Sequence, residues 1–243
     1  MKKQPSILLF LTVLFLLTAC TKKPNAQKII DQSIAFYGMD QLNKKTISFD
    51  FRAYHFIVKH NDGNYFYERT FTDDSLGKVR DQLSNRGFVR EINGLVTPQT
   101  EKDSLKHAAA VNSVVYFVLL PLKLNDGAVR KKYLKTVQIK GKNFDEIEIR
   151  FSEDKGGKDH DDVYYFWFDQ QDQSMDYFAY STGGERFRAV KELKQADGLI
   201  LQNYINYESK KGEKTPLLNY DKLYEKDELV KLSEIILENI KVK

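Results

Sequence analysis

From Thr46 onward the chain is built of short segments whose apolar residues recur at every second position. Ile47, Phe49 and Phe51 alternate with Ser48, Asp50 and Arg52, and the run continues to about His60. Successive side chains of a strand point to opposite faces, so this period reads as half-buried β-strand. Asn61-Asp62-Gly63-Asn64 then reads as a hairpin turn. Further strands are expected at Tyr65–Thr72, Lys78–Ser84, Phe88–Ile92, Lys131–Lys140, Asn143–Phe151, Val163–Asp169, Met175–Thr182, Arg186–Leu193, Leu199–Glu208 and Leu232–Val242. Turns such as Gly141, Gly183-Gly184 and Asp197-Gly198 are short, which requires antiparallel neighbours. The 14 Tyr and 16 Phe suit wide sheets.

Two stretches break the alternation. Asn25 is placed to cap a helix over Ala26–Tyr37, ended by Gly38, with Ile29, Ile30, Ile34 and Tyr37 on one face. Thr100 or Asp103 is placed to cap a second helix that runs to Leu120 and is stopped by Pro121. Its second half, Ala108–Leu120, is apolar nearly all round, broken only by Asn112 and Ser113. Such a helix is expected to be buried on every side, yet it is too short to cross a bilayer. Ser209–Leu229 is expected to hold a short third helix.

A twisted antiparallel sheet of about ten strands curls or splits. The expected fold is therefore mainly β (α+β): one curled antiparallel sheet of about eleven strands forming an open half-barrel. The N-terminal helix and the apolar helix pack in its concave face. A two-sheet sandwich is the alternative. There is no internal repeat, low-complexity stretch or linker, so residues 26–243 read as one domain.

The first twenty residues have a different character. Lys2 and Lys3 precede an apolar run, Ile7–Leu17, which ends in Leu17-Thr18-Ala19-Cys20. That order is a secretory signal, and the run is well short of the about 20 residues a spanning helix needs. The last four residues resemble a bacterial lipobox. The resemblance implies a signal peptide over 1–19, lipidation of Cys20, and a tether over 20–25. Thr21 is not the Asp associated with inner-membrane retention, and Thr21-Lys22-Lys23-Pro24 lacks an acidic surface-export run. Both point to an outer-membrane anchor facing the periplasm. Cys20 is the sole cysteine, so neither a disulfide nor a thiol nucleophile is available to the folded domain. The formal charge of +4 includes both leader lysines, and a surface so nearly balanced does not call for nucleic acid.

Two segments resemble a known family. One is Gly38–Tyr54, carried by Ser48-Phe49-Asp50-Phe51-Arg52 and Tyr54. The other begins at Gly156-Gly157-Lys158-Asp159-His160-Asp161-Asp162 and continues through Tyr165-Phe166-Trp167-Phe168-Asp169 and Met175-Asp176-Tyr177 with Tyr180. It ends with Gly183-Gly184, Arg186-Phe187-Arg188, Gly198 and Tyr204-Ile205-Asn206-Tyr207. These resemble an uncharacterised family of Bacteroidota lipoproteins grouped as a domain of unknown function, which carries no catalytic residues to transfer. The order of elements also resembles the lipoprotein-localisation-factor fold. That resemblance implies a hydrophobic cavity able to hold acyl chains.

Several residues are candidates for chemistry. His160, Asp161 and Asp162 combine imidazole and carboxylate, as a divalent cation would require, but their spacing fits no known site and a solvated turn is the plainer account. Arg186 and Arg188 share one strand face, where they can clamp an anionic head group or pair with Asp169, Asp176 or Glu185. Tyr165 and Trp167 can line an apolar ligand or pack across strands, and Tyr180 can extend either face. Arg52, read as lying within the first strand beside Tyr54 and Phe56, can meet a lid helix or a ligand, or pair with Glu68 or Asp50. There is no Gly-x-Ser-x-Gly, His-Glu-x-x-His, P-loop or dinucleotide fingerprint, and no cofactor is expected. The leading expectation is a lipid-anchored protein that binds a hydrophobic ligand, a lipid or acyl chain, through Arg52, Tyr54, Tyr165, Trp167, Tyr180, Arg186 and Arg188. The alternatives are a partner-binding envelope component with a filled cavity, and a hydrolase working around His160, Asp161 and Asp162.

Overall fold

A computed structural model describes residues 24–152, 162–210 and 215–243. The leader, Cys20, His160 and Asp161 lie outside them. Among the described residues the alternating segments form fourteen strands in two antiparallel seven-stranded sheets. In spatial order, sheet one is β14 (Glu238–Val242), β1 (Thr46–Phe51), β2 (Tyr54–Asn61), β3 (Asn64–Asp73), β4 (Gly77–Ser84), β5 (Gly87–Ile92) and β6 (Leu95–Val96). Sheet two is β13 (Val230–Ile235), β12 (Leu199–Glu208), β11 (Arg186–Ala196), β10 (Met175–Tyr180), β9 (Tyr164–Asp169), β8 (Lys142–Phe151) and β7 (Val129–Ile139).

The expected single sheet of about eleven strands is thus corrected to fourteen strands in two sheets. Three features account for the difference. The run from Thr46 to His60 is a hairpin: Phe51 pairs with Tyr54 across a two-residue turn, and Arg52 takes φ +57° there. Turns of that kind are normally marked by Gly, Asn or Asp, so an Arg-Ala turn leaves the alternation looking unbroken. β6 has only two residues, too few for any period to show. The last apolar run breaks at Ile236-Leu237, where the Leu237 N–H donates to Asn203 Oδ1 at 2.8 Å. There the chain leaves sheet two and joins sheet one, so β13 and β14 form a seam along one edge of both sheets.

The helices occupy the space this arrangement leaves. α1 (Ala26–Phe36) is capped by Asn25, whose side chain accepts from the Gln27 and Lys28 N–H groups. It buries Ile29, Ile30 and Ile34, each contributing about 2 kcal/mol of apolar transfer. Tyr37 follows, fully buried, with its hydroxyl accepting from the Met175 N–H at 3.1 Å. α2 (Glu101–Val118) connects β6 to β7 and is capped by Thr100, which accepts from the Asp103 N–H at 3.1 Å. It buries one stripe, Val111, Val115 and Val118, while Ala109, Asn112 and Ser113 are exposed. The expectation of burial on every side is therefore corrected: the sheets wrap one side of α2 only, and small residues face outward on the other. Among the described residues no helix is long and apolar enough to cross a membrane.

Sheet two is covered on both faces, which is why all six residues of β9 are buried. Tyr164, Phe166 and Phe168 face the main core with α1 and α2. Tyr165 and Trp167 face outward into a second cluster, closed by Leu217 and by Tyr220 and Tyr224 of α3 (Tyr220–Glu225). In sheet one, Asp81 is fully buried between Arg69 and Arg90, at 2.5 and 2.7 Å. Arg90 Nη1 also donates to Nε2 of His107 on α2 at 3.0 Å, a polar tie between helix and sheet.

Candidate ligand cavity

Where the C-terminal half of α2 crosses the seam, the two sheets and the helix do not close completely. A cavity of about 230 Å³ remains. Its apolar wall is Phe51, Val114, Phe117, Val118, Ile235 and Leu237. A dry engineered cavity of about 150 Å³ already holds benzene, so this space admits a small apolar group or a length of alkyl chain. Ser113, Gln202, Tyr204, Asn206 and Ser233 supply polar atoms, and Arg52 and Arg188 supply charge.

Strand register sets the order of these groups. Arg188 of β11 stands directly opposite Asn206 of β12, which stands opposite Ser233 of β13. Opposed residues of antiparallel strands share a face, so the three form a polar row across the cavity wall. Two positions further on, Val190, Tyr204 and Ile235 form an apolar row. The inner end is neutral and internally bonded: the Tyr204 hydroxyl donates to Gln202 Oε1, and Gln202 Nε2 donates to the Tyr37 hydroxyl and to the Met175 carbonyl. Burial raises the pKa of both phenols well above the ordinary tyrosine value, so both stay protonated.

Arg188 is only 9% exposed. Its guanidinium lies 4.1 Å from the ring centre of Phe117, 5.1 Å from Tyr180 and 5.4 Å from Phe178. Nη2 donates to the Tyr180 hydroxyl at 2.9 Å, while Nε is buried without an acceptor among the described residues. Arg52 sits at the rim, exposed in its turn, with its guanidinium over the Phe51 ring. Among the described residues neither arginine forms an ion pair and no carboxylate lines the cavity.

The structure separates residues that the sequence grouped. Arg186 does not line the cavity: it pairs with Glu208 at 3.4 Å and donates to the Glu185 carbonyl. Tyr54 packs on Phe56 and Phe71 and opens onto a neighbouring groove with Asp50 and His55. Tyr165 and Trp167 lie on the opposite face of sheet two, under α3. Tyr180 is buried on the cavity side and hydrogen-bonds Arg188. Asp162, the described member of the His160 cluster, accepts from the hydroxyls of Ser181 and Thr182. Among the described residues no three His, Cys, Asp or Glu side chains converge on a point where a metal ion would sit. Sequence reading missed Gln202, Asn206 and Leu237. The available signal was in β12, where Gln202 and Asn206 interrupt an otherwise apolar inward face.

Together the fold and cavity describe a two-sheet, lid-helix protein with a cationic pocket at its seam. The chain belongs to DUF6503, a family of unknown function, which it matches over residues 3–238. No curated protein matches it in sequence. Among solved structures it is similar to a LolA superfamily protein from Nitrosomonas europaea, at 11% identity and a TM-score of 0.45, covering 83% of this chain and 97% of the other. It is also similar to a DUF1329 family protein from Desulfovibrio piger, at 10% identity and a TM-score of 0.47, covering 89% and 92%. The lipoprotein LppX of Mycobacterium tuberculosis matches at 13% identity and a TM-score of 0.31, covering 68% and 91%. Nothing about ligand or activity follows from likenesses of this size.

Proposed function

We propose that this protein binds an apolar molecule, a lipid or acyl chain, in the cavity beneath α2. The observation that carries the reading is the open space of about 230 Å³ between α2 and the seam, walled by Phe51, Phe117, Ile235 and Leu237. Ligand sites combine apolar walls with a few placed polar groups, which is the composition found here. Cys20 supplies the address: lipidated, it would hold the domain by a tether of a few residues at the outer membrane's periplasmic face, within reach of bilayer-derived cargo. The test is native mass spectrometry of the full chain released from detergent. Bound lipid is expected as discrete added mass that Val114→Trp, which fills the cavity, removes. Unmodified mass throughout, with no uptake of hexadecanol on titration, would overturn the reading. Replacing Cys20 by Ala is expected to move the protein from the membrane to the soluble fraction, and retention in the membrane would refute the anchor.

A further inference from the structure

We infer that the ligand of this cavity is a single-chain carboxylate, a long-chain fatty acid, and that Arg188 receives its head group; this rests on the apolar-ligand reading above. A guanidinium cannot be neutralised by losing its proton, so a buried arginine needs an acceptor or a counter-charge. The other buried arginines have one: Arg69 and Arg90 share Asp81. Among the described residues Arg188 has three rings and one neutral hydroxyl, and its Nε has no acceptor. Stacking on aromatic faces offsets part of the cost of desolvation but supplies no net negative charge.

The surroundings specify the anion further. Asn206, directly across from Arg188, has a buried Oδ1 without a donor among the described residues. Turned over, the same amide presents its Nδ2 to an anion held by Arg188. Ser233 adds a hydroxyl to the row. With Arg52 at the rim, the cavity carries two cations without an ion-pair partner, and no acid in its lining, among the described residues. The planar fork of one guanidinium matches a planar carboxylate bidentately. The apolar row of Tyr204 and Ile235 continues directly from the polar row, as a tail follows a head. The space of about 230 Å³ admits a length of one alkyl chain beside the head group.

The test titrates the full chain in detergent with palmitate, hexadecanol and monohexadecyl phosphate, read by native mass spectrometry. Wild type is expected to bind palmitate at least tenfold more tightly than hexadecanol. Arg188→Met keeps an unbranched apolar side chain against Phe117 and is expected to remove that preference. Equal affinity for acid and alcohol in wild type would overturn the inference while leaving the apolar site standing. Tighter binding of the phosphate than of palmitate would overturn the choice of carboxylate. Binding of none of the three would refute the site itself. The wild-type comparison decides the matter even if Arg188→Met fails to fold.

Discussion

The guanidinium carbon of Arg188 lies 4.1 Å from the ring centre of Phe117, and this contact joins α2 to sheet two. Phe117 also stacks on Phe178 at 5.6 Å and meets Tyr180 at 5.4 Å. The helix end is thus held by one ring set between a cation and two aromatics. A desolvated cation–π pair contributes about 1–2 kcal/mol. A double-mutant cycle with Phe117→Leu and Arg188→Met, followed by urea unfolding, should give a coupling of about 1 kcal/mol. Additive effects would show that packing alone holds the helix.

The other end of α2 is held by a bond that requires neutral histidine. His107 Nε2 accepts from Arg90 Nη1 at 3.0 Å. Burial, and then the charge of Arg90, hold the His107 pKa below the ordinary value of 6.5, with Asp81 acting in the opposite sense. The unfolded chain therefore takes up its proton first. The stabilisation is complete above about pH 6.5 and is lost as pH falls through the lower folded value. His60 is shifted the same way by its own burial, so the wild-type curve alone does not isolate His107. His107→Gln should lose less stability than wild type between pH 7 and pH 5, measured by urea midpoints. The protection of the α2 amides, taken relative to their intrinsic exchange rates at each pH, should fall over the same range in wild type only. Parallel curves would remove His107 from the account.

The docking of α1 depends on two glycines that nearly touch. Gly38 takes φ +63°, and a Cβ there would stand 2.0 Å from the Gly198 carbonyl oxygen, at the tip of the β11–β12 hairpin. Next to this contact, the Ile200 N–H donates to the Tyr37 carbonyl at 2.9 Å. Gly141 also has positive φ, +81°, but its Cβ would meet nothing within 4 Å. Gly141→Ala should therefore cost about 1 kcal/mol, the price of the backbone conformation alone. Gly38→Ala should cost about 3 kcal/mol or more, because backbone must move as well. Equal losses in thermal unfolding would refute the close approach.

Much of this was readable in the chain because the period-two signal is local. Strands β7 to β12 fall within a few residues of expectation because each is bounded by Gly or polar turns. Two sheets stood only as the alternative, because the hairpin at Arg52 uses residues that do not announce a turn, and because the seam at Ile236-Leu237 lies within an apolar run. Arg186 and Arg188 look equivalent in sequence. What separates them is Glu208, brought beside Arg186 by the β11–β12 pairing and absent beside Arg188. Likewise Trp167 and Phe168 are adjacent and equally apolar, and only the position of α3 decides that Trp167 faces away from the cavity. Pairing partners and packed helices come from distant parts of the chain, so side-chain environment was the part that alternation did not show.

Glu146 gives the clearest loss of stability as pH rises from acid to neutral. It lies in β8, opposite Trp167 of β9, and neither its two carboxylate oxygens nor the Trp167 Nε1 has a hydrogen-bond partner among the described residues. Lys135 Nζ is 3.6 Å away. Burial raises the Glu146 pKa to about 7; Lys135 opposes the shift and the charge of Asp221 adds to it. In the unfolded chain the same group titrates near 4.5. A raised carboxyl pKa favours the folded state when the group is protonated. Its contribution is therefore complete below pH 4.5 and is lost as pH rises through about 7. Glu146→Gln keeps the shape and removes the charge. The variant should match wild type near pH 4.5 and exceed it above pH 7, by on the order of 3 kcal/mol. Thermal or urea unfolding of both proteins from pH 4.5 to 8.5 measures the difference directly. A constant gap across that range would mean that Glu146 is ionised in the fold throughout, with Lys135 as its full partner.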